Sequence, residues 1–284
     1  MADALIGPTL PPEMHVMTFN IRRRMDMTPR PADRWTWRVP AVRTLLHTER
    51  PTVLGVQEAL PDQAAVLHDA LGEGYGVVGH GRRADGRGEG CPLFWDGTRL
   101  ELVTWRQIAL SDRPEVPGST SWGNMIPRVM VVATLRDRTT SVEFLVVNTH
   151  LDHLSRRSRL RSVEAIRRCV LGQPLPGIVT GDLNAGEEAA AIQALFAGGA
   201  LRDAWRAAGE RLTPAWGTVP NYRPPRAGQR RIDWIGVTPD VDVVRTGIND
   251  RRFGGRWASD HLPVQAVVRL PAAIASVMPP VTAP

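Results

Sequence analysis

Polar side chains that can bind a metal ion or transfer a proton recur at the ends of the predicted strands. They are, in chain order, Asn20, Glu58, Asn148, His150, Asp152, His153, Asp182, Asn184, Asp233, Asp260 and His261. Loops that leave a rigid sheet at a common edge are where binding and catalytic groups concentrate. The pattern therefore predicts one site assembled from several strand ends.

The donor types in this set favour metal-assisted chemistry. Carboxylate and amide oxygens suit one or two Mg²⁺ or Mn²⁺ ions, whereas the two distant cysteines do not indicate a thiolate zinc site. The imidazoles of His150 and His261 could contact a phosphate oxygen or transfer a proton. Adjacent strand residues face opposite ways, so Asp233 is a better candidate than Asp260 to orient His261. Each residue alone is more typical of a turn or a solvated surface, and only the combination indicates a catalytic site.

The elements that must position these side chains are short β-branched strands separated by a few helices. Strands that carry or precede the site residues are predicted at 15–21, 52–57, 142–148, 177–180, 232–237 and 262–270. Helices are predicted at 42–49, with Pro40 in the first turn, and from the N-cap Ser155 to about residue 170. Many strands and few helices, mixed in order, indicate a two-sheet core with helices packed outside.

The chain is long enough for one large core, and no linker divides it. Its 43% hydrophobic and 23% charged residues are ordinary for a globular protein. A single domain is expected over residues 14–270, with flexible Pro-rich ends at 1–13 and 271–284. The first residues lack the pattern of a secretory signal, and no run approaches the roughly 18 apolar residues of a membrane span. We therefore expect a cytoplasmic protein without membrane insertion, and the sequence predicts no protein partner.

The formal net charge is +6, and every basic residue is an arginine. A guanidinium suits phosphate oxygens, although GC-rich coding, which also favours Ala, Gly and Pro, explains the arginine usage better. The run Arg22-Arg23-Arg24 directly follows Asn20 and is expected to bring at least one guanidinium to the mouth of the site. The arginines of 156–161 are interpreted as the solvated face of a helix.

Six of the segments around the site residues form a recognisable series. They are Thr-Phe-Asn-Ile at Asn20, Gln-Glu at Glu58, Asn-Thr-His-Leu at His150, Gly-Asp-Leu-Asn at Asp182, Arg-Ile-Asp at Asp233, and Ser-Asp-His at His261. Each segment is weak alone, but in this order they resemble the endonuclease/exonuclease/phosphatase superfamily, from Asn20 to about Val268. The resemblance implies a four-layer α/β sandwich, in which two mixed, mostly antiparallel sheets pack face to face with helices outside.

The same resemblance implies a metal-binding role for three residues. Asn20 and Glu58 correspond to ligands of the main metal ion, Mg²⁺ or Mn²⁺. Asp260 corresponds to a further ligand or to a residue that holds a ligand.

It also implies roles in catalysis for five residues. Asp182 corresponds to the residue that positions or deprotonates the attacking water, and Asn184 to one that holds the phosphate or a second ion. His150 would bind a non-bridging phosphate oxygen. Asp233 would be the partner of His261, which would contact the phosphate or transfer a proton.

Three further residues are candidates for substrate contact within a bacterial branch of the superfamily whose substrates are poorly defined. The segment Gly90-Cys91-Pro92-Leu93-Phe94-Trp95 often ends in Tyr in relatives, and the indole of Trp95 could replace that hydroxyl only as a donor. Arg128 either contacts phosphate or is a solvated strand-end residue. His153 is either a second imidazole of the site or a spectator.

The resulting expectation is a metal-dependent hydrolase of phosphate esters, with phosphodiesters and phosphomonoesters both open. The arginine excess slightly favours a nuclease. A small-molecule or phospholipid-head-group phosphatase or phosphodiesterase is nearly as well supported, because no extra basic loop that grips a duplex is visible. A catalytically silent binding protein on the same fold is the alternative of another class, because fold does not determine function.

Overall fold

In residues 3–25 and 27–272, which the computed structural model describes, thirteen strands form two sheets. The first sheet contains Glu13–Asn20 (β1), Val53–Gln57 (β2), Tyr75–Val78 (β3), Leu93–Asp96 (β4), Glu210–Arg211 (β10), Asp242–Ile248 (β12) and Val264–Arg269 (β13). The second contains Leu100–Ala109 (β5), Val129–Asp137 (β6), Glu143–His150 (β7), Gly177–Asp182 (β8), Arg202–Asp203 (β9) and Asp233–Val237 (β11). The strand orders are β10-β12-β13-β1-β2-β4-β3 and β5-β6-β7-β8-β11-β9.

Both sheets are mixed and mostly antiparallel. Within the described residues, only β1–β2, β7–β8 and β10–β12 are parallel pairs. The helices are Trp35–Glu49 (α1), Pro61–Leu71 (α2), Arg156–Leu171 (α3), Ala190–Phe196 (α4) and Ala204–Ala207 (α5). None of these helices is long and apolar enough to cross a membrane.

Apolar side chains fill three clusters, which correspond to the three interfaces of a four-layer sandwich. The central cluster joins the inner faces of the sheets and includes Val16, Val53, Val146 and Ile178. A second cluster lies between α1, α2 and the first sheet, and a third lies between α3, α4 and the second sheet. The predicted four-layer α/β sandwich is therefore confirmed.

Strand register brings the ends that carry polar residues to one edge of the sandwich. Asn20 at the end of β1 pairs with Gln57 at the end of the parallel strand β2. In the second sheet His150 pairs with Asp182, and Asp182 also pairs with Asp233 at the start of β11. Two separate sheets thus present their polar strand ends at the same place.

Helix α1 begins at Trp35, seven residues before the predicted start, and Pro40 lies inside it rather than in its first turn. The added turns place Arg38 where it is fully buried. Its guanidinium donates to the backbone carbonyls of Ile21 at 2.5 Å and Arg22 at 2.8 Å. These tertiary contacts favour a helical path that a proline would otherwise discourage.

The amino-terminal residues pack against the domain. The buried carboxylate of Glu49 accepts the backbone N–H groups of Leu5 at 2.7 Å, Ile6 at 3.1 Å and Gly7 at 3.0 Å. Residues 5–7 are therefore held against the domain, whereas composition predicts that residues 1–13 are flexible. Of the other predicted flexible end, 271–284, residues 273–284 lie outside the described part of the chain.

Candidate active site

The two sheets are joined at the site by the side chain of Asn20. This residue is fully buried, and its amide donates to Glu58 Oε1 at 3.1 Å and to Asp182 Oδ2 at 3.0 Å. Glu58 follows β2 of the first sheet, whereas Asp182 ends β8 of the second. One amide therefore fixes the distance between two carboxylates that belong to different sheets.

Glu58 adopts an unusual backbone conformation, with φ at +61°. A residue with a side chain rarely adopts the left-handed region, and such strain is concentrated at functional sites. Burial favours the neutral carboxyl, but the imidazoles of His150 and His261 and the N–H of Arg23 lower the pKa of Glu58 to about 2. Glu58 is therefore an anion over the whole physiological range.

Asp182 lies between two imidazoles. His150 Nε2 is 3.6 Å and His261 Nε2 is 3.9 Å from Asp182 Oδ2. On its far side, His261 Nδ1 is 2.9 Å from Asp233 Oδ2. The structure thus gives His261 the neighbour that the alternation of strand residues predicts, Asp233 rather than Asp260.

The two imidazoles have opposite electrostatic environments. Burial lowers the pKa of His150 to about 4, against the attraction of Asp182. Burial also acts on His261, but the charge of Asp233 and its hydrogen bond outweigh it and raise the pKa of His261 well above the usual value. At neutral pH His150 is a neutral imidazole and His261 an imidazolium. Burial and the nearby charge of Asp233 raise the pKa of Asp182.

The donors of the site fit a hard divalent cation. The carboxylates of Glu58 and Asp182 converge on one amide, and the buried Oδ1 of Asp233 has no hydrogen-bond partner. Asp182, Asp233 and His261 also offer ligand atoms within 4.8 Å of one another. The imidazolium of His261 already balances that second group, and a protonated ring cannot ligate a metal. The oxygen atoms of Asn20 and Glu58 could instead hold the ion.

Asn184 and Asp260 complete the rim of the site. The Asn184 N–H donates to Asp182 Oδ1 at 2.9 Å, and its side-chain amide donates to the Leu151 carbonyl at 3.0 Å. Asp260 Oδ1 accepts the Ser259 hydroxyl at 3.1 Å, and Asp260 Oδ2 lies 3.5 Å from Arg22 Nε. Asn184 thus contacts Asp182 directly, whereas Asp260 is held by Ser259 and Arg22, which both also contact Asn20.

Arg128 lies next to the second sheet's site residues and is 3% exposed. Its Nε is 3.4 Å from Asp152 Oδ2, and its Nη2 is 3.1 Å from Nδ1 of the exposed His153. The buried Nη1 has no hydrogen-bond partner. Arg128 is therefore not a solvated strand-end residue. Its guanidinium is buried and has one N–H group that could donate to a ligand.

Trp95 does not join the other site residues. It is 7% exposed in the cluster between the sheets and pairs with Val53, which pairs with Val16, four residues before Asn20. At about 3.3 Å per residue, this level of the sheet is roughly 13 Å from the strand end. The indole packs over Gly76, where a Cβ would lie 2.1 Å from the ring. Its position therefore does not support the predicted contact with substrate.

The arginine run after Asn20 is paired with acids. Arg22 Nε lies 3.6 Å from Asp33 and 3.5 Å from Asp260, and Arg23 Nη1 lies 3.0 Å from Glu89. Arg24 Nε lies 3.0 Å from Asp62. Because each guanidinium has a carboxylate neighbour, this run adds little net positive charge to the mouth of the site.

A buried polar layer lies beneath the site and is centred on Asn148, one of the polar strand-end residues of the sequence. Asn148 Oδ1 accepts from Gln57 at 2.7 Å and from Thr180 at 3.1 Å, and its amide donates to the carbonyls of Val56 at 2.8 Å and Cys91 at 3.0 Å. The layer links the strand before Glu58 to the strands that end at His150 and Asp182. The motifs Gln-Glu and Asn-Thr-His contain two of these residues, so the sequence carried a signal for them.

The loop after Asn20 is held by residues that no motif indicates. The fully buried Gln63 accepts the Arg24 N–H at 2.8 Å and donates to the Arg22 carbonyl at 3.1 Å. Arg38 holds the same loop from the other side. Both lie on helices, outside the strand-end motifs, and only the tertiary structure identifies them.

Comparison with known proteins shows to which family the chain belongs. Residues 17–261 match the model of the endonuclease/exonuclease/phosphatase family. An endonuclease/exonuclease/phosphatase family protein from Bacteroides thetaiotaomicron is 27% identical, with a TM-score of 0.84 over 91% of this chain and 95% of that one. A mannosyl-6-phosphatase from Bacteroides thetaiotaomicron VPI-5482 is 27% identical, with a TM-score of 0.82 over 90% of this chain and 99% of that one.

More distant structures show the fold alone. The catalytic domain of human Nocturnin with bound sulfate is 19% identical, with a TM-score of 0.68 over 91% of this chain and 95% of that one. No curated protein matches the chain.

Proposed function

Since the chain belongs to the endonuclease/exonuclease/phosphatase family, we propose that it hydrolyses a small phosphate ester with the help of Mg²⁺ or Mn²⁺. Members of the family are phosphoester hydrolases and generally depend on a metal ion. The observation that carries the proposal is the contact of Asn20 with both Glu58 and Asp182, beside one neutral imidazole and one imidazolium.

Three residues would hold the metal ion. Asn20 and Glu58 are its principal ligands, and Asp260 is a further ligand or holds one in place. Glu58 suits this role because it stays ionised, with a pKa of about 2. A bound divalent cation would neutralise the charge that develops on the phosphate oxygens during hydrolysis.

Asp182 would accept the proton of the attacking water. Its raised pKa, caused by burial and by Asp233, makes it a stronger base than a solvated carboxylate. The Asn184 N–H, which donates to Asp182 Oδ1 at 2.9 Å, orients the carboxylate. The side chain of Asn184 would contact the phosphate or a second ion.

The remaining donors would bind the phosphoryl oxygens. The neutral imidazole of His150 offers one N–H, and the imidazolium of His261, held by Asp233, offers a charged donor at Nε2. The unused Nη1 of Arg128 is a third donor in a buried setting, where charge-assisted hydrogen bonds are strong. His153 would support this contact through its 3.1 Å hydrogen bond to Arg128.

A small phosphomonoester is favoured over a nucleic acid by two observations. A structural relative of 27% identity over most of both chains is a mannosyl-6-phosphatase. The arginines after Asn20 are paired with Asp33, Glu89, Asp62 and Asp260, which leaves little free charge to follow a nucleic-acid backbone. The slight preference for a nuclease that the arginine count suggests is thereby weakened.

Turnover of p-nitrophenyl phosphate and bis-p-nitrophenyl phosphate tests the proposal. Treatment with EDTA and the substitution Asp182→Ala should each abolish hydrolysis, and Mg²⁺ or Mn²⁺ should restore the EDTA-treated enzyme. Asp69→Asn is the matched control, because Asp69 is 67% exposed on α2 and pairs only with Arg43 in the part of the chain that is described. Full turnover after both treatments would overturn the proposal.

Two further measurements address the alternative functions. Nucleic-acid binding weakens steeply with salt, whereas a small substrate gives a shallow dependence. A steep slope together with cleavage of DNA or RNA would establish the nuclease. Absence of Mg²⁺ and Mn²⁺ binding in a calorimetric titration would instead favour a catalytically silent binding protein.

A further inference from the structure

A cavity of about 760 Å³ opens beside Asn184. Its walls come from the start of α3, the loop before α4 and the segment before β11. Asn184 both lines the cavity and donates its N–H to Asp182 at 2.9 Å. A molecule whose ester phosphate lies at Asp182 would therefore extend directly into this space.

The cavity is lined by basic side chains. Arg156, Arg159 and Arg230 line it together with His153. Burial lowers the pKa of Arg159, and the charges of Arg156 and Arg230 lower it further, against the attraction of Asp152. The three guanidinium groups are thus close enough to repel one another.

The nearby carboxylates do not neutralise this charge. Glu187 lines the cavity, but its oxygens lie 2.9 Å from Arg206 and 3.1 Å from Arg231, both outside the basic group. Among the residues that the structure describes, neither Arg156 nor Arg230 forms an ion pair with a carboxylate. Glu188 alone adds a lining carboxylate that is not bonded to an arginine.

The position of the arginines on α3 is also unfavourable without a ligand. The helix begins at Arg156, and its first turn contains no acidic residue. The amino-terminal end of a helix carries partial positive charge, so cations there are destabilising and an anion is stabilising. A bound anion would offset this unfavourable placement of Arg156 and Arg159 in the first turn of α3.

Gly186 allows the third arginine to line the cavity. A Cβ at Gly186 would lie 3.2 Å from Arg230 Nε. The absence of a side chain lets the guanidinium lie close against the cavity wall. The cavity is thus adjacent to the reaction centre, basic and bordered by unpaired guanidiniums.

We propose that this cavity binds a second phosphoryl group of the substrate, so that the preferred substrates are small bisphosphorylated molecules such as sugar bisphosphates. The inference rests on the proposed function and names its substrate class. Planar guanidinium forks match phosphate oxygens. The volume is that of a small-ligand pocket, which favours a compact bisphosphate over a nucleic-acid strand.

Calorimetric titrations of the Asp182→Ala protein, carried out in the presence of Mg²⁺, test this inference, because the inactive variant does not consume the ligand. The probes are fructose 1,6-bisphosphate, fructose 6-phosphate and a tetrathymidylate. We expect the bisphosphate to bind about tenfold more tightly than the monophosphate, as one charge-assisted contact predicts. Arg230→Gln and Arg156→Gln should each remove most of that difference. Arg161→Gln, which alters an exposed arginine of the same helix paired with Glu164, should preserve it.

Thermal melts of each variant should match the wild type, because all three substituted arginines are exposed. Equal binding of the two fructose phosphates, or a difference that Arg230→Gln and Arg156→Gln leave intact, would overturn the inference. Tight binding of tetrathymidylate that Arg230→Gln weakens, without a preference for the bisphosphate, would also overturn it and assign the cavity to nucleic acid. Failure of the proposed function would be recognised separately, because wild-type enzyme would then not hydrolyse p-nitrophenyl phosphate.

Discussion

The substitution Gly55→Ala tests whether the polar layer beneath the site fixes the distance between the sheets. A Cβ at Gly55 would lie 2.2 Å from Thr180 Oγ1 and 2.6 Å from Asn148 Oδ1. Neither atom can move freely. Thr180 Oγ1 bonds to Asn148 at 3.1 Å, and the Asn148 amide is held by the carbonyls of Val56 and Cys91 at 2.8 and 3.0 Å. The added methyl group must therefore push β2 away from the second sheet or break this network.

The magnitude follows from these contacts. Overpacking a close-packed interior costs about 1–3 kcal/mol. Leaving one buried polar group of Asn148 or Thr180 without its partner costs about 1–3 kcal/mol more. A total near 4 kcal/mol corresponds to a fall in Tm of roughly 10 °C for a domain of this size. Gly55 also lies three residues before Glu58, so displacement of β2 should lengthen the 3.1 Å and 3.0 Å contacts of Asn20 and lower kcat.

Differential scanning calorimetry and phosphatase assays measure both effects. The matched control is Gly74→Ala, because a Cβ at Gly74 meets only Thr98 Cγ2 at 3.6 Å, an ordinary contact. We expect Gly74→Ala to leave Tm and kcat close to wild type. A Tm of Gly55→Ala within about 2 °C of the control would refute the reasoning, because the layer would then have room for a methyl group.

Three other predictions concern charge. In Asp233→Asn, the pKa of His261 should fall, because a neutral amide replaces the carboxylate 2.9 Å from its Nδ1. The loss of a close charge pair, worth about 4 kcal/mol at an effective dielectric of about 20, should lower kcat at pH 7 by up to about 1,000-fold. The ratio of variant to wild-type kcat should rise at lower pH, and a pH-independent ratio would contradict this. Burial lowers the pKa of His15 to about 4 in the folded protein, whereas its pKa in the unfolded chain is near 6.5. Unfolding between these pH values takes up a proton, so the free energy of unfolding should fall by on the order of 3 kcal/mol from pH 6.5 to 4. Denaturant titrations should show a weaker pH dependence of stability for His15→Gln. Mg²⁺ at 100 times its Kd should stabilise the protein by about 2.7 kcal/mol, and a melt of Glu58→Gln should lose that gain, whereas an unchanged gain would exclude Glu58 as a ligand.

The sequence predicted the parts of the site that lie in short contiguous motifs. Asn20, His150 and Asp182 end strands and Glu58 directly follows one, so a strand prediction places them near a sheet edge. For the partner of His261, the alternation of side chains makes Asp233 a better candidate than Asp260, and Asp233 lies 2.9 Å from His261 Nδ1. What made these predictions possible is that strand geometry converts sequence position into side-chain direction.

The errors involve contacts between residues far apart in sequence. The motif of relatives that contains Trp95 predicts a place in the site, but register with Val53 places the indole among core side chains. Pro40 indicated a helix start, but the burial of Arg38 against the loop after Asn20 keeps the preceding turns helical. Neither the register nor the buried guanidinium is visible in local periodicity.

The arginines illustrate why total charge is a poor guide to substrate. The sequence contains no lysine and has a net charge of +6, which taken alone suits any polyanion. In the structure, the arginines beside Asn20 face Asp33, Glu89 and other carboxylates, so the charge on that side of the site is balanced. Beyond Asn184, Arg156 and Arg230 form no ion pair within the described residues. These unpaired arginines beside Asn184 favour a substrate with a second anionic group at a fixed distance over a nucleic-acid strand that runs across the whole site.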